Sequence, residues 1–514
     1  MYPGHHAQTR PDHPAIIIPA TGETVTHAQL NARSNQIAQY LHAHGLRLGD
    51  TVAILMDNTP RFFEALWAGL RSGLYVLPVN RYLLPEEVAY ILEDSGAHAL
   101  ITSPGKAETA QGLAGRASDC KLRLCLGGPA DGLVDLTQEL TNVTAEPLAE
   151  QPRGTFMFYS SGTTGRPKGI KRLLPAAAIS AATPHTDSLI GYSFDENTIY
   201  LSPAPIYHAA PCAWSMGVQA LGGTVVMMER FDPEAALQHI EHYKITHSQW
   251  VPTMFVRMLK LPGEQRRRYD LSSHGIAVHA AAPCPVEVKR RMIDWWGPIL
   301  LEYYGGSEGN GRTSLDSHEW LQKPGSVGQA NSGILHICDD DGNELAPGET
   351  GLVYFEQPEM PFRYHNDPEK TRQAQHPVYP TWTALGDVGY VDEDGYLFLT
   401  DRKSFMIISG GVNIYPQQIE DALVLHPKVA DVGVIGVPND DFGEEVKAVV
   451  QPAEGVEPDA ALAEELIAFA RQHVAAYMVP RSVDFSAQLP RLPTGKLYKN
   501  ELRAPYWADQ KKRI

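Results

Sequence analysis

The sequence predicts an α/β protein. It should have a large N-terminal domain of parallel βαβ sheets with a small β-rich subdomain, then a smaller α+β C-terminal domain. Three observations predict this. A chain of 514 residues exceeds what one hydrophobic core organises. Strand-like apolar runs alternate with helical stretches over the first 150 residues and again from about 180 to 330. From about 330 to 400 the pattern turns to short strands between turn pairs such as Asp341-Gly342, Pro347-Gly348 and Asp394-Gly395, and it changes again past Asp401-Arg402-Lys403.

Taken in order, Thr26 and Gln29 form a capping box, and Leu30, Ile37 and Leu41 line one helix face up to a stop at Gly45. A strand follows at Val52–Met56, a helix after Pro60, a strand at Tyr75–Val79, a helix opening at Pro85 and a strand at His98–Thr102. Thr155–Tyr159 reads as a buried strand. Beyond residue 401, strands are expected at Ala430–Val437 and Val446–Gln451, with a helix from Pro458 to about Val474. The expected division is 1–401 and 402–514.

Composition narrows the function classes. A net charge of −17 argues against nucleic acid as the main partner. Arg266–Arg268 and Lys289–Arg291 are local basic runs, read either as solvated helix faces or as a patch for an anion. No apolar run reaches membrane-spanning length, and the first residues show no secretory h-region. The five cysteines form no C-x-x-C pair, which fits a reducing cytoplasm.

The most informative segment is Ser160 to Gly169, SSGTTGRPKG. Gly162, Gly165 and Gly169 free the backbone to turn, so that N–H groups can converge on an anion. Ser160, Ser161, Thr163 and Thr164 add hydroxyls, and Arg166 and Lys168 add charge. The combination after a strand suits a bound polyphosphate, although the spacing is not that of P-loop NTPases. A second segment, Tyr304-Gly305-Gly306-Ser307-Glu308-Gly309, contains the G-x-S-x-G of a hydrolase nucleophile elbow. That elbow must run into a helix, and Asn310-Gly311-Arg312-Thr313 is a poor helix start.

The loop resembles the phosphate-binding signature of the adenylate-forming enzymes: acyl-CoA synthetases, peptide-synthetase adenylation domains and firefly luciferase. Four further segments repeat the resemblance in the family's order. YGGSEG is similar to the family's YGxTE motif, with Ser307 in place of threonine. Leu385-Gly386-Asp387 with Arg402 is similar to its ribose-binding pair. DRKSFMIISGGVNIYPQQIE and LPRLPTGKLYKNELR are similar to its hinge and its catalytic-lysine motif. Ser404, Phe405, Val412 and Pro493 depart from the common forms.

The resemblance implies an ATP-dependent ligase that forms an acyl-adenylate and then a thioester. It implies Lys496, Glu308 and Ser307 as catalytic groups, with Glu308 holding Mg²⁺. It implies ATP or AMP contacts at Ser160–Gly165, Lys168, Ala281, Ala282, Pro283, Tyr304, Gly305, Asp387 and Arg402. It places Gly410 and Gly411 on the coenzyme A path and Ser404 at the hinge of a mobile C-terminal domain. Pro205-Ile206-Tyr207-His208 matches the segment beside the acyl pocket. His208 is read either as a gate or as a core histidine. His208, Trp214, Trp250, Met254 and Gly306 are expected to line an apolar pocket. No Asp occurs between Pro205 and Met216 to hold an α-ammonium, so the acid is expected to be fatty, aromatic or bulky alicyclic. Coenzyme A is the expected acceptor and a separate carrier protein the alternative. Lipid metabolism and a homodimer are left open.

Overall fold

The computed structural model describes residues 1–113, 115–160, 167–491 and 497–508. Within them lie two large sheets, two small ones and a C-terminal sheet. The first large sheet has six parallel strands. It holds Thr51–Leu55, Tyr75–Pro78 and Ala97–Thr102, as the alternation predicts, with helices Pro60–Arg71 and Pro85–Ser95 between them. The Thr26 capping box is present, each side chain closing on the other's backbone N–H.

The second large sheet has nine strands. Its parallel centre is Ile199–Ser202, Thr224–Met227, His247–Trp250, Ile276–His279 and Leu300–Tyr304. Pro14–Ile18 joins it beside Thr224–Met227. Sequence reading assigned no element there, although Ile16 is fully buried. A four-stranded antiparallel sheet holds Ile334–Cys338, Gly351–Glu356, Trp382–Val391 and Leu397–Arg402, the expected β-rich subdomain. The C-terminal sheet pairs Val429–Asn439 with Gly443–Pro452 along an antiparallel ladder, and Ala460–His473 packs on it through Leu462, Leu466 and Ala470. No helix among the described residues is long and apolar enough to cross a membrane.

Two expectations are corrected. Thr155–Tyr159 is not one buried strand. Thr155–Phe156 ends the six-stranded sheet and Phe158–Ser160 starts a separate three-stranded one, while Met157 alone is fully buried between them. The chain changes sheets here because the residues on either side of Met157 pair with different partners. Lys289 is not on a solvated face. Arg290 and Arg291 are exposed, but Lys289 is fully buried and donates to Glu302 Oε2 at 2.5 Å. Its ammonium also lies 5.0 Å from the Trp320 ring centroid. A run of like charges on a helix presents its members in different directions, and here one of the three points inward. Burial pushes the Glu302 carboxyl up and the ammonium opposes that shift.

This pair anchors the strand that ends in Tyr304. Lys289→Met should cost about 3–5 kcal/mol, because it leaves a buried carboxylate unpaired. Lys289→Met combined with Glu302→Gln should recover much of that loss. Denaturant titration of both variants is the measurement, and equal stability of the two would show that no buried charge was stranded.

Candidate functional site

The parallel strands of the nine-stranded sheet all run the same way, so their carboxyl ends open on one edge. Such an edge is where α/β sheets take ligands. Pro205–His208 follows Ile199–Ser202, Val251 follows His247–Trp250, Ala280–Pro283 follows Ile276–His279, and Gly305–Gly309 follows Leu300–Tyr304. The motifs selected from sequence therefore converge through sheet topology, despite spacings of tens of residues.

The densest cluster centres on Asp387, which is 8% exposed. Its Oδ2 accepts the Tyr304 hydroxyl at 2.7 Å and its Oδ1 accepts Arg402 Nε at 3.0 Å. Asp387 and Arg402 are direct register partners across two antiparallel strands, which explains why residues fifteen apart in sequence face each other. Burial, with the Asp387 charge second, holds the Tyr304 phenol well above its usual range. The Asp387 carboxylate is the larger cause of the rise at the Arg402 guanidinium. Gly386 turns with φ +87°, a conformation suited to glycine.

Glu308 sits beside this cluster. Its Oε1 accepts the Tyr364 hydroxyl at 2.9 Å, and the Lys168 ammonium lies 5.9 Å from the Tyr364 ring centroid. Lys168 is held below its ordinary range, first by burial and then by the neighbouring Lys370 ammonium. The Asp367 and Glu308 carboxylates oppose that shift. Arg172 donates to the Ser307 carbonyl at 2.6 Å and so braces the motif from below. Gly306 has no room for a side chain, since a Cβ there would stand 2.1 Å from Leu385 Cδ1. Ala281 adopts φ +78°, a strained conformation for a residue with a Cβ, in the loop expected to meet the nucleotide.

The elbow reading is excluded. The residues after Gly309 form the strand Arg312–Asp316, antiparallel to Leu300–Tyr304, with Tyr304 opposite Thr313. A nucleophile elbow turns from strand to helix.

The residues expected to line an acyl pocket fall in different surroundings. His208 caps the helix Ala209–Leu221 with no side-chain hydrogen bond, and its buried Nε2 has no partner among the described residues. Burial pushes its pKa down to about 3, so the ring is neutral. Trp214 stacks between Tyr192 and Tyr303, with centroids 6.3 and 5.7 Å away and planes 15° and 27° apart. Gln249 links the Tyr303 and Tyr200 hydroxyls behind that stack. Trp250 and Met254 belong to a different core cluster, where Trp250 packs on Phe255 and Trp296 and donates to Ser248 Oγ at 2.5 Å. Trp214 lies in the other core cluster, so these expected pocket residues are distributed over two clusters.

Gly410 and Gly411 turn a short hairpin with φ +58° and +80°, and Ile408 and Val412 on it are 51% and 45% exposed. Ser404 lies in a 3₁₀ turn, Lys403–Phe405, next to a small cavity also lined by Met406, Glu444, Lys499 and Arg503. Lys499, held by Glu420 at 2.9 Å, sits 5.4 Å over the Phe405 ring. Residues 161–165 and Lys496 lie outside the described residues, as does the Ser160 side chain. Sequence reading missed Arg172, Tyr192, Tyr303 and Tyr364. Each acts through a contact distant in sequence, and no spacing marked them.

Two family models match. Residues 4–365 fit the AMP-binding enzyme model and residues 418–496 fit the AMP-binding enzyme C-terminal domain. The chain belongs to the AMP-binding enzyme family. A feruloyl-CoA synthase from Amycolatopsis sp is 35% identical over 489 residues, covering 94% of each chain. The fatty acid–[acyl-carrier-protein] ligase ScoC of Streptomyces coeruleorubidus is 30% identical over 523 residues, covering 99% of this chain and 96% of its own. The structure of ATP-bound MatB from Rhodopseudomonas palustris superposes with a TM-score of 0.81 at 28% identity, covering 98% and 99% of the two chains.

In this AMP-binding enzyme the Asp387 cluster can be tested directly. Asp387→Asn keeps the shape of the acceptor but removes the charge that Arg402 and Tyr304 share. It should raise the KM for ATP about 10- to 100-fold with a smaller change in kcat. An unchanged KM for ATP would remove Asp387 from the nucleotide site.

Proposed function

We propose that the protein is an ATP-dependent carboxylate–CoA ligase that forms an acyl-adenylate and pyrophosphate, then an acyl-CoA thioester. The observation that carries this reading is the Tyr304–Asp387–Arg402 cluster at the carboxyl edge of the nine-stranded sheet, in a chain of this family. Asp387 can accept both ribose hydroxyls, with Tyr304 against the base. Ser307 offers a hydroxyl to the adenylate phosphate. Residues 160–168 would cradle the outer phosphates, and Ala281–Pro283 would line the nucleotide.

A carboxylate is a poor acyl donor because oxide is a poor leaving group. Attack of its oxygen on the α-phosphate forms the O–P bond of the acyl-adenylate and breaks the bond to pyrophosphate. AMP then leaves readily under attack by a thiol. The first step brings two anions together, so the protein's task is to neutralise charge and align the groups. Lys496, by its sequence resemblance, would bridge the substrate carboxylate and α-phosphate.

Glu308 is a fitting Mg²⁺ ligand. It is a hard oxygen donor with one oxygen on Tyr364, and no group of three or more His, Cys, Asp or Glu among the described residues forms an all-protein metal cage. A metal held there would take its other ligands from phosphates and water. When bound, it would neutralise phosphate charge.

The acid would be apolar. Its carboxylate would sit near His208, whose unpartnered Nε2 suits a ligand oxygen, and its body would lie toward the ring wall of Tyr303 and Trp214. A division at 401/402 would leave residues 402–514 free to turn about Ser404 between the two steps and bring Gly410–Gly411 to the site. The free cysteines support a reducing, cytoplasmic location. A role in fatty-acid metabolism remains within this reading. The likeness to ScoC favours one second reading, in which the acceptor is a separate carrier protein.

A panel of fatty, aromatic and alicyclic acids, assayed for AMP release with and without coenzyme A, tests the function. Release that needs both acid and coenzyme A supports the ligase. Acid-dependent pyrophosphate exchange with no thioester would favour the carrier-protein reading. Lys496→Ala should lower acid-dependent pyrophosphate exchange on the order of 10²–10³-fold. It should spare thioester formation from supplied acyl-adenylate. Near-normal exchange in the variant would place Lys496 outside the first step.

A further inference from the structure

The C-terminal sheet meets the rest of the protein at the corner that leads from helix Pro416–Leu423 into strand Val429–Asn439. Two backbone carbonyls at this corner fall outside regular ladder pairing. Val429 faces Pro452, which has no N–H to give, and the register shifts across Ala430. Lys260, the C-cap of helix Pro252–Leu259, reaches across and serves both. Its Nζ donates to the Val429 carbonyl at 2.7 Å and to the Ala430 carbonyl at 3.2 Å.

The contact is not an ion pair. The nearby carboxylate, Asp431, is taken by Arg491. The ammonium instead bridges two carbonyls fixed at the start of a strand. Burial holds Lys260 below its ordinary range, and the Asp431 charge opposes that. Leu425, from the same corner, packs against the apolar cluster that contains Met258 and Leu259. Two further cross-links are polar: Lys403 donates to Asp340 at 2.6 Å, and the Gln417 N–H donates to Asp401 Oδ2 at 3.1 Å.

We infer that Lys260 is a positioning residue, a clasp that holds the C-terminal domain in the arrangement seen here and thereby favours the adenylation step. The inference rests on the two-step ligase reading proposed above. In this arrangement the Gly410–Gly411 hairpin has its flanking Ile408 and Val412 half-exposed, so it is not seated in a thiol channel. Turning the C-terminal domain to bring that hairpin inward would pull Val429 and Ala430 from Lys260 together. Both bonds have a charged donor, which makes them stronger than neutral ones and gives the clasp a definite geometry. Lys260 acts only through the docked corner and touches no reacting atom.

Lys260→Met keeps the aliphatic stem and removes the donor. Acid-dependent ATP–pyrophosphate exchange should fall about 5- to 20-fold, while thioester formation from supplied acyl-adenylate and coenzyme A stays level or rises. Lys260→Arg should restore most of the exchange rate. Equal losses in both half-reactions, or no loss in either, would overturn the inference, because a merely structural residue would not split them. Amide hydrogen exchange of the wild type and Lys260→Met, without substrates, tests the clasp separately. Faster exchange over residues 425–431 at unchanged melting temperature supports it, and unchanged protection overturns it. If the wild type shows no acid-dependent pyrophosphate exchange with any acid, the ligase reading fails, and the hydrogen-exchange comparison still decides whether Lys260 holds the corner.

Discussion

Asp387 is the point at which separately built sheets are made to agree. Tyr304 comes from the nine-stranded parallel sheet, while Asp387 and Arg402 come from adjacent strands of the four-stranded antiparallel one. The Tyr304 hydroxyl ties the two layers at hydrogen-bond distance, while Arg402 holds the same carboxylate from within its own sheet. The same contact includes Arg402, the last residue before the 3₁₀ turn Lys403–Phe405. A shift of either sheet would leave a nearly buried anion short of a partner, which is costly. The site is thus held by the requirement that buried charge be satisfied, and its other residues inherit their positions from that.

Much of this was legible in the sequence because local rules coincide with the global fold. Capping at Thr26, Pro at the first turn of Pro60–Arg71 and Pro85–Ser95, and the short strands near 330–400 are set by neighbours within a few residues. Lys289 shows where such rules stop. Its run of three basic residues is local, but its burial depends on Glu302, a strand away. Met157 shows the same for strands. Continuous apolar character indicates burial but does not say which sheet each residue joins.

The apolar residues expected beside the site separate into two core clusters for a related reason. Apolar residues near the candidate site all satisfy the same compositional expectation, yet a sheet has two faces. Trp214 and Tyr303 fall on one side with Tyr192, while Trp250 and Met254 fall in the cluster of Phe255 and Trp296. Sequence order cannot assign a face across strands whose register is unknown. Sequence does mark His208, and the structure adds that its buried Nε2 lacks a partner among the described residues. A polar atom left in that condition costs free energy unless a ligand or water completes it.

The joint between the body and the C-terminal sheet follows the opposite logic to the Asp387 cluster. Apart from Leu425, its named contacts are polar, made by Lys260, Lys403 and Gln417. Polar contacts at a half-exposed seam can be exchanged for water at small net cost, whereas apolar burial cannot. A seam built this way is defined by direction-specific contacts. The charged donors select an orientation. The rigid carboxylate cluster and the polar seam meet at consecutive residues, Arg402 and Lys403. The chain therefore passes from a contact within the four-stranded sheet to one across the joint within a single peptide bond.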